Sequence, residues 1–120
     1  MPHTCIISLA SNCGQERNLA EARLRLGQIL HDISYTKELW TVPMHSKRTD
    51  MYLNQLAYAH VSISVNQLQQ ELKNIEAQMG RTEEARREGI VCIDLDLMQY
   101  DQMRYHLRDW DRPYIQRLLE

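Results

Sequence analysis

"MYLNQLAYAHVSISVNQLQQELKNIEAQMG", residues 51–80, changes its hydrophobic period half-way along. Over 51–63 the chain alternates. Leu53, Ala57, Ala59, Val61 and Ile63 share one side of an extended segment, and Tyr52, Asn54, Leu56 and Tyr58 share the other. "SVNQ" then supplies an S-x-x-Q capping box through Ser64 and Gln67. Beyond it Leu68, Leu72, Ile75 and Met79 recur at helical steps, and Gly80 is a helix stop. This stretch is therefore a strand feeding a capped helix.

The flanks repeat the pattern. "HTCIISLA" (3–10) is apolar and β-branched, and it ends in the polar turn "SNCGQ", which predicts a strand. Leu19, Ala22, Leu26, Ile29, Leu30 and Ile33 form one apolar face of a helix over residues 15–32. "SYTKELWTV" (34–42) suits a second strand, ended by Pro43, and "PMHSKRTD" is a polar loop. After Gly80, "RTEEARREG" reads as a charged loop, and 90–98 is the last strand. The tail carries "RPYIQRLL", a strand or a short helix. The order β-α-β-β-α-β predicts an α+β fold of the ferredoxin-like βαββαβ type. That is an antiparallel sheet with helices on one face and right-handed crossovers, built by residues 1–120 as a single domain.

Composition narrows the function classes. At 43% hydrophobic and 25% charged the chain is ordinary globular material. A net charge of −2 gives no global basic field, so no nucleic-acid partner is expected. No apolar run approaches about 18 residues, so no membrane span is expected. The N-terminus lacks a basic region followed by an apolar one, so no secretory leader is expected. Cys5, Cys13 and Cys92 are odd in number and lack C-x-x-C spacing. Reduced packing thiols and a cytoplasmic location follow.

Chemistry concentrates in "IVCIDLDLMQY" (90–100). Asp94 and Asp96 stand at i and i+2 of a strand and point to one face, while Ile93, Leu95 and Leu97 point to the core. Two adjacent carboxylates repel unless a cation lies between them, and hard oxygen ligands suit Mg²⁺. The plain alternative is two aspartates meeting water on an exposed sheet face, against which stands the poor strand propensity of aspartate. Tyr52 and Asn54 share a face in the same way and suit stacking on, and hydrogen bonding to, a flat heterocycle; an ordinary surface pair is the simpler reading. Arg81, Arg86 and Arg87 lie in a loop that can reach phosphates, or simply meet solvent.

Taken together the chain resembles the 6-hydroxymethyl-7,8-dihydropterin pyrophosphokinases of folate biosynthesis. "SLASN" resembles the opening strand with its G-S-N turn, and "TVP" the T-P-P of the pterin loop. "YLN" is the family's own tripeptide, and "IEAQMGR" resembles I-E-x-x-x-G-R. "IDLDLM" resembles the R-x-L-D-L-D-I metal strand, and "HLRDWDRPYI" the H-x-x-M-x-x-R-x-F segment. The resemblance implies transfer of pyrophosphate from ATP to the pterin hydroxymethyl group, with release of AMP. It implies that Asp94 and Asp96 hold two Mg²⁺ ions on ATP. Thr41, Val42, Met44, Tyr52, Asn54 and Tyr114 would line the pterin site. Lys73, Glu76, Leu97, His106 and Arg112 would fall on the nucleotide side. Arg81, Arg86, Arg87, His106 and Arg112 would be the catalytic set.

The departures are specific. Ala10 replaces the G-S-N glycine, and Val42 the first proline of T-P-P. Glu83 stands where the family has a second loop arginine, Glu88 where a tryptophan covers the pterin, and Val91 where an arginine precedes the metal strand. Arg86 and Arg87 lie in the same loop and can compensate. Two alternatives remain: a catalytically degenerate nucleotide- or pterin-binding module, and a pyrophosphokinase with a different acceptor. A homodimer through an exposed sheet edge is also compatible with the pattern. The metal reading makes a direct prediction. Asp94→Asn or Asp96→Asn abolishes Mg²⁺-ATP binding in calorimetric titration while circular dichroism stays native. Unchanged binding in both variants would remove the metal site.

Overall fold

The N-terminal strand is the axis of the molecule. In the computed structural model, which describes residues 2–43 and 48–120, β1 (His3–Ser11) lies between two antiparallel neighbours. Met44, expected at the substrate site, lies outside the described residues. β4 (Tyr52–Val61) pairs with β1 from His3↔Val61 to Ser11↔Leu53. β5 (Asp94–Tyr100) pairs on the other side from Cys5↔Tyr100 to Ala10↔Asp94. β2 (His31–Tyr35) and β3 (Leu39–Thr41) both line the outer edge of β4, and the short β6 (Met103–Arg104) pairs with β5. The path β2-β4-β1-β5-β6 is an open antiparallel sheet, and β2, β4, β1 and β5 have the ferredoxin-like order.

Alternation decides which side chains enter the main core. Cys5, Ile7 and Leu9 of β1 and Leu53, Ala57, Ala59 and Val61 of β4 face one side. There they meet Leu19, Ala22 and Leu26 of α1 (Gln15–Leu26) and Leu68, Leu72 and Ile75 of α2 (Val65–Gln78). The predicted box caps α2: the Gln67 N–H donates to Ser64 Oγ at 3.2 Å, and the Ser64 N–H donates to Gln67 Oε1 at 3.2 Å. α1 is shorter than its apolar face suggests. Gly27 caps it by donating to the Arg23 carbonyl, so Leu30 packs from the turn and Ile33 from β2. The stretch 34–42 is split rather than continuous. At the break the Thr36 N–H donates to the Leu56 carbonyl, and Thr36 Oγ1 accepts from the Leu56 N–H.

The charged 81–89 loop contains a helical turn that hydrophobic periodicity does not reveal. α3 (Glu83–Arg87) is capped by Thr82, whose Oγ1 accepts the Ala85 N–H at 3.0 Å. Glu83 and Glu84 open it and Arg86 and Arg87 close it, the order its dipole favours.

The tail adds a second, smaller core. α4 (Leu107–Trp110) and α5 (Pro113–Leu119) fold across the sheet face opposite α1 and α2. "RPYIQRLL" is thus a helix, begun by proline at its first turn. Leu56, Met98, Trp110, Ile115 and Leu118 form the cluster. Trp110 is buried, and its Nε1–H donates to the Tyr105 carbonyl at 3.0 Å, with the Met98 carbonyl at 3.3 Å. A bulge serves this cluster. Ile7 pairs with Leu97 but Ile6 pairs with Gln99, so Met98 is an extra residue. Met98 packs in the second core, whereas Tyr100 rests against the first. Trp110→Ala is expected to cost about 3–5 kcal/mol in urea unfolding, through the void and the unpaired carbonyls it leaves. A loss under about 1 kcal/mol would mean that the second core is dispensable.

Candidate active site

One cross-strand row makes the floor of a cleft. Ala10 pairs with Asn54 on β4 and with Asp94 on β5, all on the face that carries the second core. Two strand spacings put Asn54 and Asp94 roughly 10 Å apart. The small Ala10 side chain between them leaves the floor open. Asp96 and Tyr52 extend the row at either side, Thr41 and Val42 form one rim, and Asp109, Arg112 and Tyr114 of the tail form the other wall. The enclosed space is about 320 Å³, within the range of small-molecule sites.

The Asn54 side of the cleft is preset by hydrogen bonds. Asn54 is buried, and its Nδ2 donates to Thr41 Oγ1 at 2.8 Å and to the Leu39 carbonyl at 3.0 Å. Its donors are engaged with β3, and its amide oxygen remains an acceptor. Burial first and Asp94 second raise the Tyr52 hydroxyl above its ordinary range, and burial does the same for Tyr114. Both rings stay neutral.

The carboxylate side is under electrostatic load. Burial pushes Asp96 from 3.8 to about 6; the charge of Asp94 adds to this, and His106 partly offsets it. His106 holds a left-handed backbone, φ +54°, and its Nε2 lies 3.9 Å from Asp96 Oδ1. Arg81 Nη1 lies 3.2 Å from Asp94 Oδ1 and 3.3 Å from Glu76 Oε2. Glu76 is itself buried. Its Oε2 accepts the Leu95 N–H at 2.7 Å, and burial still carries its carboxyl up to about 7. Among the described residues no group of three or more His, Cys, Asp or Glu could hold a metal unaided. An under-neutralised carboxylate pair of this kind fits Mg²⁺, which takes one or two carboxylates and completes its shell with water and phosphate.

The arginine-bearing segment is anchored by Asn12. Its N–H donates to the Val91 carbonyl at 2.9 Å, its Oδ1 accepts the Val91 N–H at 2.7 Å, and its Nδ2 donates to the Gly89 carbonyl at 2.9 Å. This is why β5 begins at Asp94 and not at residue 90: the Val91 N–H is taken by the Asn12 side chain and not by a strand carbonyl.

Most sequence-expected positions converge. Thr41, Val42, Tyr52, Asn54, Asp94, Asp96, Arg112 and Tyr114 share the cleft, so Arg112, expected on the nucleotide side, lines the same cavity as the pterin set. Arg81, Glu76 and His106 border the carboxylates. Arg86 shares a smaller cavity with Arg81, while Arg87 and Lys73 are exposed. The Leu97 side chain lies in the core under the helices, so only its backbone can meet a ligand. Asp109 was not singled out from the sequence. It lines the cleft and accepts from Arg112 Nε at 2.8 Å, and its spacing three residues before Arg112 was the available signal.

A family model described as 7,8-dihydro-6-hydroxymethylpterin-pyrophosphokinase (HPPK) matches residues 6–119. The chain belongs to this family. The family's enzymes are pyrophosphokinases that use ATP with Mg²⁺. Among curated proteins, a folate synthesis bifunctional protein of Arabidopsis thaliana is 31% identical over 121 residues, covering 92% of this chain and 25% of that protein. A mitochondrial folate synthesis bifunctional protein of Pisum sativum is 30% identical over 120 residues, covering 92% and 23%. The chain therefore spans about a quarter of the length of these relatives. None of its described helices is long and apolar enough to cross a membrane.

The raised Asp96 carboxyl gives the cation-free protein a pH signature. A folded-state pKa above the unfolded one favours folding below about pH 4, and this advantage is lost as pH rises to about 6. Asp96→Asn is therefore expected to stabilise the cation-free protein by about 1 kcal/mol at pH 7.5, a figure discounted for partial exposure, and by only a small fraction of that at pH 4. Urea titrations at both pH values read this out, and an equal difference at both would sink the argument.

Proposed function

We propose that this chain transfers pyrophosphate from Mg²⁺-ATP to the hydroxymethyl group of 6-hydroxymethyl-7,8-dihydropterin, in folate biosynthesis. The carrying observation is the row Asn54–Ala10–Asp94, which puts a buried amide and a carboxylate-bearing strand on one floor. The pterin hydroxymethyl oxygen bonds to the β-phosphorus of ATP, the bond to the α–β bridging oxygen breaks, and AMP leaves. The hydroxyl proton is released.

Each residue has a role in this reading. Tyr52 and Tyr114 stack on the pterin, and the Asn54 amide oxygen accepts from a ring N–H. Thr41, Val42 and Met44 complete that side. Asp94 and Asp96 hold two Mg²⁺ ions, which neutralise charge on the triphosphate when bound. Arg81 leaves Asp94 and Glu76 for phosphate oxygens, joined by Arg86, Arg87 and Arg112. His106 and Lys73 contribute to the nucleotide side, Glu76 steadies the Leu95 backbone, and Leu97 offers its main chain. Three free thiols support a reducing compartment such as the cytoplasm. A second reading, a different acceptor, draws on Asp109. It puts a carboxylate in the cleft where the family motif has methionine, and so favours an acceptor with an additional donor.

AMP release from Mg²⁺-ATP, with and without the dihydropterin, tests the proposal. Pterin-dependent AMP is expected, reduced at least about a hundredfold in Asp96→Asn, the scale of losing about 3 kcal/mol of charge stabilisation. ATP binding without pterin-dependent AMP would reject this acceptor.

A further inference from the structure

We propose that Asn12 is a positioning residue that sets the resting place of the arginine-bearing segment 81–89. The inference rests on the reading that this segment meets ATP phosphates, and it is independent of the acceptor. Asn12 is 3% exposed and stands two residues beyond Ala10 of the cleft floor, without lining the cleft itself. Its side chain turns to the main chain that closes the segment. Oδ1 accepts the Val91 N–H at 2.7 Å, and Nδ2 donates to the Gly89 carbonyl at 2.9 Å. Both polar atoms of the amide are thereby given to one junction.

Hydrogen bonds, not apolar packing, seat the segment. None of the α3 side chains is buried. The Gly89 N–H donates to the Arg86 carbonyl at 3.1 Å and the Ile90 N–H to the Ala85 carbonyl at 2.9 Å, which makes α3 and Gly89 one unit. Gly80, at φ +105°, and Gly89, at φ +73°, are the pivots of that unit, in backbone regions that glycine enters without steric cost. At the first pivot the Arg81 N–H donates to the Glu76 carbonyl at 3.1 Å, and the Arg81 guanidinium reaches Asp94 and Glu76 at 3.2 and 3.3 Å. At the second the Asn12 amide ties the unit to the end of β1.

The two side-chain ties respond differently to a nucleotide. Arg81 exchanges its carboxylates for phosphate oxygens, whereas the Asn12 bonds are kept with the cleft empty or filled. An anchor present in every state acts by pre-ordering: it lowers the entropy lost when the arginines engage phosphate. Its loss weakens the ground state and the transition state alike, so ATP affinity falls and turnover is retained. A loss of folded protein gives the opposite pattern, fewer competent molecules with unchanged affinity.

Calorimetric titration of the full chain with Mg²⁺-ATP tests this in Asn12→Ala and in Ser11→Ala, which takes the neighbouring hydroxyl from the Val91 carbonyl and leaves Gly89 held. Asn12→Ala is expected to weaken Kd about tenfold, the scale of one lost hydrogen bond, with stoichiometry unchanged, and Ser11→Ala to stay within about twofold. In pterin-dependent AMP release the same loss should appear in KM for ATP, with kcat retained. Limited trypsin digestion of the free protein gives a second readout. Cleavage after Arg86 and Arg87 should quicken on the order of tenfold in Asn12→Ala, and also in Asn12→Asp, which keeps the acceptor for Val91 but turns a carboxylate to the Gly89 carbonyl. In the wild type the Val91 amide should be protected from hydrogen exchange, a measurement that needs no variant to fold. Unchanged Kd in folded Asn12→Ala, a fall in stoichiometry or kcat alone, an equal loss in Ser11→Ala, unchanged cleavage, or a freely exchanging Val91 amide would each overturn the assignment. Absence of AMP from the wild type would reject the acceptor and leave titration and digestion to judge Asn12.

Discussion

Like-charge repulsion between Asp94 and Asp96 is the constraint around which the cleft is organised. At a separation of about 6.6 Å along a strand, two carboxylates repel by roughly 2–3 kcal/mol at an effective dielectric near 20. The partly exposed contacts available, Arg81 with Asp94 and His106 with Asp96, are each worth at most about 1 kcal/mol. The protein alone leaves the pair under-compensated, and a divalent cation is the natural remainder. The same arithmetic explains Glu76. It gives an oxygen to the Leu95 N–H, which fixes β5 against α2, and in doing so it adds a third, buried carboxyl beside the pair, which Arg81 contacts.

The frame of the fold was legible because its signals are local. The alternation over 51–63 and the Ser64–Gln67 box need no tertiary information, and both appear where the sequence puts them. The same holds for β1 and for the face shared by Asp94 and Asp96. What escaped was decided elsewhere in the chain. α3 rests on Thr82 capping and charge order, with no apolar face to betray it. The start of β5 is set by Asn12, which holds Val91 across 79 positions of sequence. The second core draws Leu56, Met98 and Trp110 from three segments, and no window on the sequence contains them together.

The site follows the same division. Tyr52, Asn54, Asp94 and Asp96 were readable because strand geometry fixes their direction once the strand is recognised. Arg112, Tyr114 and Asp109 depend on where the tail folds, and only the docking of Trp110 under Met98 brings them over the sheet. Leu97 shows the limit of transferring a role by motif. Its position matches, yet its side chain belongs to the core, and any contact passes to its peptide groups.

The extra residue at Met98 reaches beyond packing. Upstream of it the odd-numbered side chains of β5 serve the helix core; downstream Tyr100, an even one, does. The bulge is thus a parity switch between the two hydrophobic cores, and it lies two residues beyond Asp96. Removing one residue there would not merely shorten the strand. It would force a choice between seating Tyr100 in the first core and seating Met98 in the second. The strand therefore has no slack between Asp96 and Tyr100, and the first position beyond both cores is the turn at Asp101 and Gln102.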